Sequence, residues 1–335
     1  MSQAELCTPA SGNVRSRGFV SVARDAVALT KPRITFMVAF TTFGGYWLAC
    51  RFFGSDPFGA ALWPLMLGTA MVVGGANALN LYLERETDAL MKRTQNRPLP
   101  TGRLEPVVAL AVGLGLSAVS VPLLTFAVSP MTGLLAAVAL VSYVAIYTPM
   151  KRTSPSALLV GAIPGAIPPL MGWSAARGSV DGPGVVLFAI MFFWQVPHFL
   201  AIATFRKEDY AKAGMKVMPV VYGDRVTRHH VVRYTVALLL SSILLIPYGL
   251  AGRAYVITAL VLGLVFFAVG AWGLRKSAGK VWARTLFITS LVYLTGMFIA
   301  LPLGASSMPD SIDNRGAQPT VTVTVATLPL SLIHI

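Results

Sequence analysis

Repeated apolar segments of about twenty residues constrain the fold of this chain more than any other feature. A segment of that length can cross a hydrocarbon core of about 30 Å as a helix, and a helix satisfies its own backbone hydrogen bonds inside a bilayer. The sequence predicts nine such spans, at about residues 34–50, 58–83, 106–128, 131–147, 157–173, 184–205, 231–250, 255–274 and 283–303. We therefore expect an all-α polytopic membrane protein.

The composition supports this class and argues against two others. Hydrophobic residues make up 55% of the chain and charged residues 12%, whereas about a quarter of the residues in a soluble domain are charged. The net charge of +14 does not indicate a nucleic-acid partner, because the basic residues crowd at the ends of the spans and form no solvated stripe. The two cysteines form no CxxC pair and no metal-binding set.

The distribution of Lys and Arg predicts the orientation in the membrane. Only four of the 27 are expected on one side, namely Arg51, Arg177, Arg253 and Arg315. Positive charge marks the cytoplasmic side, so the amino terminus and the loops after the even-numbered spans are expected to be cytoplasmic. A bacterial inner membrane is the expected location, with a mitochondrial inner membrane as the alternative.

We expect the chain to have three parts. Residues 1–30 lack the apolar core of a secretory signal and are predicted to be a cytoplasmic leader, with a basic transit peptide as the alternative. Residues 31–304 form the nine-helix domain. Residues 305–335 alternate like a strand but have no partner strand, so they are predicted to be a disordered or non-native tail.

The second span ends in a dense polar stretch, residues 77–103. Asn80, Glu84 and Asp88 are spaced i, i+4 and i+8, so a helix places them on one face. Like charges at this spacing repel, so we expect a bound cation or the following basic residues beside them. Carboxylates and substrate phosphates are typical ligands of Mg²⁺, and Arg and Lys neutralise a leaving diphosphate. The basic residues taken alone are better explained by a solvated loop.

A second charged stretch follows the sixth span and repeats this chemistry. Glu208 and Asp209 lie among Arg206, Lys207 and Lys212. Four membrane crossings separate the two stretches, so they open on the same side and can share one site. A solvated loop is again the alternative.

The fifth and sixth spans carry unusual residues. The sixth contains the sequence WQVPHF at 194–199, and an ionisable ring inside a span indicates a function. The alternative is a neutral His198 bonded to a carbonyl that Pro197 frees. The fifth contains GAIPGAIPP, which predicts a broken helix facing protein or a cavity.

These motifs resemble those of the intramembrane UbiA-type prenyltransferases. Residues 80–88, NLYLERETD, followed by KRTQNRPL at 92–99, are similar to the first Asp-rich motif of that family. The resemblance covers about residues 28–303. It is closest to the members that farnesylate haem, through LTKPR at 29–33, YTPMKR at 147–152 with GAIPGAIPPLMGW, and WQVPHF followed by Glu208-Asp209-Tyr210.

The resemblance implies nine helices around a central cavity and transfer of a farnesyl group from farnesyl diphosphate to a vinyl group of haem B, which gives haem O. It also implies that Glu84 and Asp88 hold Mg²⁺ and that a lipid bilayer surrounds the protein. Whether haem A synthase is a partner is left open. The implied catalytic residues are Asn80, Glu84, Asp88, Glu208 and Asp209; the implied diphosphate-binding residues are Lys92, Arg93, Asn96, Arg97, Arg206, Lys207 and Lys212; and the candidates for the haem side are Trp194, Gln195 and His198.

The chain departs from the family pattern in two places. Glu84 stands where the motif has its leading Asp, and the second charged stretch lacks the DxxxD of the relatives that act on quinone precursors. Prenylation of a quinone precursor is one alternative, against which WQVPHF argues. A secondary transporter with a broken fifth helix is another, but it does not explain two acid clusters on one membrane face.

Overall fold

The computed structural model of the protein describes residues 19–275 and 278–304. The predicted tail at 305–335 and the first part of the predicted leader lie outside these residues. The chain described is helical without strands, and its helices are α1 Phe19–Leu29, α2 Pro32–Phe53, α3 Leu62–Ala89, α4 Pro106–Ala127, α5 Pro130–Met150, α6 Ala157–Arg177, α7 Gly182–Phe205, α8 Lys207–Lys212, α9 Met218–Val221, α10 Gly223–Ile243, α11 Arg253–Trp272 and α12 Lys280–Gly304.

Several of these helices begin at a proline. Pro32, Pro106 and Pro130 each occupy the first helical position, where a missing N–H costs no hydrogen bond. Ser129 caps α5 by accepting a hydrogen bond from the Thr132 backbone N–H at 3.1 Å. The predicted hairpin of the third and fourth spans therefore forms between α4 and α5 with only two intervening residues.

Seven of the long helices in the described chain are long and apolar enough to cross a membrane. They confirm a multi-pass membrane protein, but the predicted count of nine is not confirmed. The two long helices outside this set are α2 and α10. Helix α10 begins at Gly223 and ends at Ile243, earlier than the predicted limits of 231–250. Arg225, Arg228 and Arg233 in its first half lower its hydropathy, so it falls outside the apolar set.

The predicted break in the fifth span is wrong, because α6 is one uninterrupted helix with three prolines inside it. Its glycines serve close packing. A Cβ atom at Gly172 would lie 1.9 Å from the Thr42 carbonyl oxygen of α2, and one at Gly45 of α2 would lie 2.1 Å from the Pro169 carbonyl oxygen. The irregular turn occurs instead in α5, where Ser142–Tyr147 is a π-helical segment.

The helices pack largely in chain order. Each long helix contacts the next one along the chain, α12 also contacts α2 and α7, and α2 packs along α6. The two main apolar cores lie on either side of the α2–α6 pair, one toward α7 and α10–α12 and one toward α3–α5. Helix α1, in the second half of the predicted leader, rests on α3 and α4 with Leu29 fully buried.

We expect Gly172→Ala to destabilise the protein, because its methyl group would force α2 and α6 apart. Overpacking of this kind costs about 1–3 kcal/mol, which thermal unfolding in detergent would measure. Gly115→Ala in α4 is the matched control, since a Cβ atom there meets nothing within 4 Å and alanine favours the helix. Equal unfolding midpoints for the two variants would contradict the close contact.

Candidate active site

The inward face of α3 carries three buried polar residues in register, which together we call the ladder. Asn80, Glu84 and Asp88 are 2%, 7% and 1% exposed, and all three line one cavity. The predicted stacking of these residues on one helix face is therefore confirmed. Buried carboxylates are stable only when paired with cations or hydrogen-bonded.

Cations from separate parts of the chain meet these acids. Lys151 Nζ lies 2.8 Å from Glu84 Oε1, and Arg97 Nη1 lies 2.7 Å from Asp88 Oδ2. Lys31 Nζ approaches Asn80 Oδ1 at 3.4 Å, and the Asn80 amide donates to Thr148 Oγ1 at 3.1 Å. The expected positive partner is thus present, but only Arg97 comes from the basic cluster next to the motif.

Lys31 occupies an unusual backbone conformation. Its φ of 48° is the only positive value for a residue other than glycine in the described chain, and such strain tends to persist at functional sites. Burial, followed by the nearby charges of Arg97 and Lys151, lowers the pKa of Lys31 to about 7. An anion bound beside Lys31 would favour its protonated form.

The π-helical segment of α5 places two tyrosines on the cavity wall. Tyr143 and Tyr147 lie with ring centroids 5.5 Å apart, and Lys151 Nζ stands 4.4 Å from the Tyr147 ring centroid. Gly161 makes room for the Tyr147 ring, since a Cβ atom there would lie 2.4 Å from it. Sequence reasoning missed Lys31, Tyr143, Tyr147 and Lys151 as site residues, although LTKPR and YTPMKR pointed to their neighbourhoods.

The cavity holds about 480 Å³ and has two differently lined parts. We call the part formed by α3, the end of α5 and the loops the charged end, and the part formed by α2, α6, α7 and α12 the apolar end. Six cations and two acids line it, so its charge is strongly positive. The charged residues are Lys31, Glu84, Asp88, Arg93, Arg97, Lys151, Arg206 and Lys216, and the apolar end includes Ile34, Leu158, Phe199, Ile202, Phe205 and Phe287. Such a cavity suits an anion attached to an apolar chain.

The loops after α3 and α7 meet at the charged end. Met91 from the first loop packs with Ala213 and Met215 from the second in one buried cluster, and the Lys216 N–H donates to the Lys151 carbonyl at 3.1 Å. The two loops therefore lie side by side, but the predicted sharing of one site by their acids is not confirmed, because Glu208 and Asp209 do not line the cavity with Glu84 and Asp88.

Most members of the second charged stretch lie away from the cavity wall. Glu208 is largely exposed and pairs with Lys280 at 2.7 Å, which holds the pKa of its carboxyl below the usual range. Asp209 pairs with Arg206 at 3.5 Å and Lys207 with Asp224 at 2.8 Å. The residues placed outside the cavity lining are Glu208, Asp209, Lys207 and Lys212, together with Lys92 and Asn96 of the first stretch.

The three candidates for the haem side also lie outside the cavity lining. Trp194 Nε1 donates to the Ser290 carbonyl at 2.7 Å, and His198 Nδ1 shares a 2.7 Å hydrogen bond with Ser290 Oγ. Gln195 Nε2 donates to the carbonyls of Met191 at 3.0 Å and Ala162 at 3.4 Å. The partner of His198 is therefore a hydroxyl of α12, and not a carbonyl freed by Pro197.

The donor set fits a magnesium ion that substrate phosphates help to bind. Glu84 and Asp88 lie one turn apart on the cavity wall, and Mg²⁺ typically takes one or two carboxylates together with phosphate oxygens. Among residues 19–275 and 278–304 no group of three or more His, Cys, Asp or Glu side chains gathers to hold a metal by itself.

The chain is similar to known proteins over most of its length. Residues 38–292 match the UbiA prenyltransferase family. A protein of Sorangium cellulosum named protoheme IX farnesyltransferase is 51% identical, covering 80% of this chain and 100% of its own. One of the same name from Myxococcus xanthus is 49% identical, covering 87% and 98%.

Solved structures of low identity share the fold. A digeranylgeranylglyceryl phosphate synthase aligns with a TM-score of 0.72 at 18% identity, covering 84% of this chain and 98% of that one. A UbiA homologue from Archaeoglobus fulgidus, bound to GPP and Mg²⁺, aligns with a TM-score of 0.55 at 16% identity, covering 83% and 99%.

We expect Lys151→Met to destabilise the protein by about 3 kcal/mol or more, because it leaves Glu84 buried without its cation. Adding Glu84→Gln should restore much of the stability, since a neutral amide needs no counter-charge. Thermal unfolding of the two single variants and the double variant measures this coupling. Lys280→Met, which breaks the exposed pair with Glu208, is the control and should leave the unfolding midpoint unchanged; a loss equal to that of Lys151→Met would contradict the proposed importance of the buried pair.

Proposed function

Because this chain belongs to the UbiA prenyltransferase family, we propose that it is a protoheme IX farnesyltransferase. It transfers the farnesyl group of farnesyl diphosphate to a vinyl group of haem B and so makes haem O. The observation that carries this proposal is the identity of about half to proteins of that name. The cavity supports it, because two acids, six cations and an apolar end fit a prenyl diphosphate.

The charged end of the cavity is the proposed diphosphate site. Arg93, Arg97 and Arg206 offer guanidinium groups that hold phosphate oxygens by paired hydrogen bonds, and Lys31 and Lys151 add point charges. Glu84 and Asp88 would hold Mg²⁺, which neutralises the charge of the departing diphosphate when bound. The binding of GPP and Mg²⁺ by the Archaeoglobus fulgidus homologue supports a prenyl diphosphate and Mg²⁺ as the ligands of this site.

In the proposed reaction the bond between farnesyl carbon 1 and the diphosphate oxygen breaks, and the electron pair leaves with the diphosphate. Carbon 1 then bonds to the terminal vinyl carbon of haem B. Water adds to the other vinyl carbon and releases one proton, which leaves a hydroxyethylfarnesyl side chain. The cations of the site stabilise the leaving group, while the tyrosine faces of Tyr143 and Tyr147 favour positive charge on the allylic carbon.

The protein is a multi-pass membrane protein, and its bacterial relatives point to an inner membrane. We further propose that the charged end of the cavity faces the cytoplasm, in accord with the distribution of Lys and Arg. The comparisons give no support to a contact with haem A synthase. Family membership also argues against the transporter alternative.

Expression in a host without its own haem O synthase tests the acceptor. We expect mass spectrometry of the extracted haems to show haem O, which is recognised by the mass that farnesylation and water addition give to haem B. Purified protein should also release pyrophosphate from farnesyl diphosphate only when haem B is added. If haem B stays unchanged and pyrophosphate is released only when a quinone precursor is added, the acceptor is the quinone precursor and not haem B.

We expect Asp88→Asn and Glu84→Gln to lower turnover by at least about a hundredfold, because each removes a charge that holds the metal and diphosphate. The Mg²⁺ concentration that gives half-maximal activity should also be higher for these variants than for the unaltered protein. Glu208→Gln is the matched control, since Glu208 is exposed and paired with Lys280 outside the cavity lining. Normal rates in both ladder variants would contradict the metal site, and a comparable loss in Glu208→Gln would return that residue to the catalytic set.

A further inference from the structure

A second, smaller cavity lies within the helix bundle. It holds about 40 Å³ and is lined by apolar and aromatic side chains and glycine backbone, among them Gly44, Pro169, Met191 and Leu294. It shares no lining residue with the active-site cavity. Nothing in the proposed reaction uses it.

The same four helices line both cavities. The pairs of lining residues, with the active-site member first, are Ile34 and Gly44 on α2, Leu158 and Pro169 on α6, Phe199 and Met191 on α7, and Phe287 and Leu294 on α12. The members of each pair are seven to eleven residues apart, or about 10–16 Å along a helix. The order reverses on α7, as it should for a helix that runs antiparallel to the other three. The small cavity therefore lies farther along these four helices than the apolar residues of the active-site cavity, on the side away from Arg206.

A buried polar layer separates the two cavities. Gln195 lies midway between Met191 and Phe199 on the same face of α7 and is 4% exposed. Its side chain reaches across to the Ala162 carbonyl of α6 at 3.4 Å. Trp194 and His198 fix the same level of α7 to Ser290 of α12. None of these side chains lines either cavity, so the layer is a packed barrier between them, which we call the floor, and α7 contributes Gln195 to it.

Helix α6 is shaped to receive the Gln195 side chain. A Cβ atom at Gly165 would lie 2.0 Å from Gln195 Oε1, so only glycine leaves room for the amide there. The two carbonyls that Gln195 contacts lie inside helices and keep main-chain partners without it. The amide therefore fills space between two cavities at a position where the backbone does not need its hydrogen bonds.

The distance along α7 from the charged end to this floor matches a farnesyl chain. Arg206 at the charged end and Gln195 at the floor are eleven residues apart on α7 and the turn that follows it, or about 16 Å. The twelve main-chain carbons of a farnesyl group span roughly 15 Å with bonds of about 1.5 Å. A longer isoprenoid would have to pass the level of Gln195.

We propose that Gln195 determines the length of the isoprenoid that this protein accepts, by closing the active-site cavity against the small cavity beyond it. This inference rests on the proposed prenyltransferase function. Removal of the side chain joins the cavities, so that geranylgeranyl diphosphate, longer by one isoprene unit, becomes a substrate. The bonds broken and formed at carbon 1, the departing diphosphate and the added water stay the same.

The test supplies equal amounts of farnesyl and geranylgeranyl diphosphate with haem B and measures both prenylated haems by mass spectrometry. We expect Gln195→Ala to raise the ratio of geranylgeranyl to farnesyl product by about tenfold or more over the unaltered protein, since filled or open space at this level discriminates chain length. Gln195→Ser also removes most of the side chain but keeps a small hydrogen-bonding group, and it should raise the ratio as well. It replaces the alanine variant in the test if that variant folds poorly.

Two matched variants separate space from hydrogen bonding. Gln195→Met keeps the length of the side chain without the amide, so the ratio should stay at its original value. Adding Ile190→Phe to Gln195→Ala fills the small cavity from α7 and should bring the ratio back down. An unchanged ratio in folded Gln195→Ala or Gln195→Ser would overturn the proposal, as would an equal rise in Gln195→Met.

Binding separates this proposal from the proposed function. Farnesyl and geranylgeranyl thiodiphosphates, which resist cleavage, are added to each variant and the rise in unfolding temperature is measured. Selective gain of stabilisation by the longer analogue in Gln195→Ala supports the floor even if no haem is prenylated. Prenylated haem from the unaltered protein, with no gain for the longer chain in either assay, refutes the floor and leaves the proposed function intact.

Discussion

The pairing of buried carboxylates on α3 with cations from distant segments is the interaction on which the site depends. Glu84 and Asp88 cannot remain charged within a helical bundle unless positive groups reach them. Lys151 comes from the end of α5 and Arg97 from the loop after α3, so both segments must be in place before the ladder is stable. In the proposed reaction the same cations would also bind the diphosphate. Folding and the proposed substrate binding would then depend on one set of charges.

The sequence was sufficient for the class of fold and for the ladder, because both follow from local spacing. Apolar length predicts helices in a membrane, and i, i+4 spacing places Asn80, Glu84 and Asp88 on one face. Lys151 could not be chosen in this way, since its importance arises from a contact with Glu84 across 67 residues of chain. Glu208 shows the reverse case, because its local pattern resembles that of the ladder while its side chain turns to Lys280 at the surface.

The Gly-rich and Pro-rich sequence of α6 was misread for a physical reason. Glycine and proline weaken a helix in water, but a transmembrane bundle tolerates them because neighbouring groups satisfy the freed backbone atoms. Glycine, which has no side chain, also lets neighbouring helices approach closely. Along α6, Gly161 admits Tyr147, Gly165 admits Gln195 and Gly172 admits the backbone of α2. The glycines of α6 therefore make contact with a cavity residue, with the proposed floor and with α2. Each contact joins residues that are distant in the sequence, so the sequence alone did not reveal it.

The backbone contact between α2 and α6 also leaves these two helices little room to move apart within the bilayer. Two helices whose main chains touch through Gly45 and Gly172 have no side chains between them to swing aside. The contact between α2 and α12 is of a different kind, since the Phe298 ring lies against Gly44 and against Phe40, with ring centroids 5.4 Å apart. Rotation of aromatic side chains there requires no separation of backbones. A long apolar substrate that enters from the bilayer would therefore need less rearrangement between α2 and α12 than between α2 and α6.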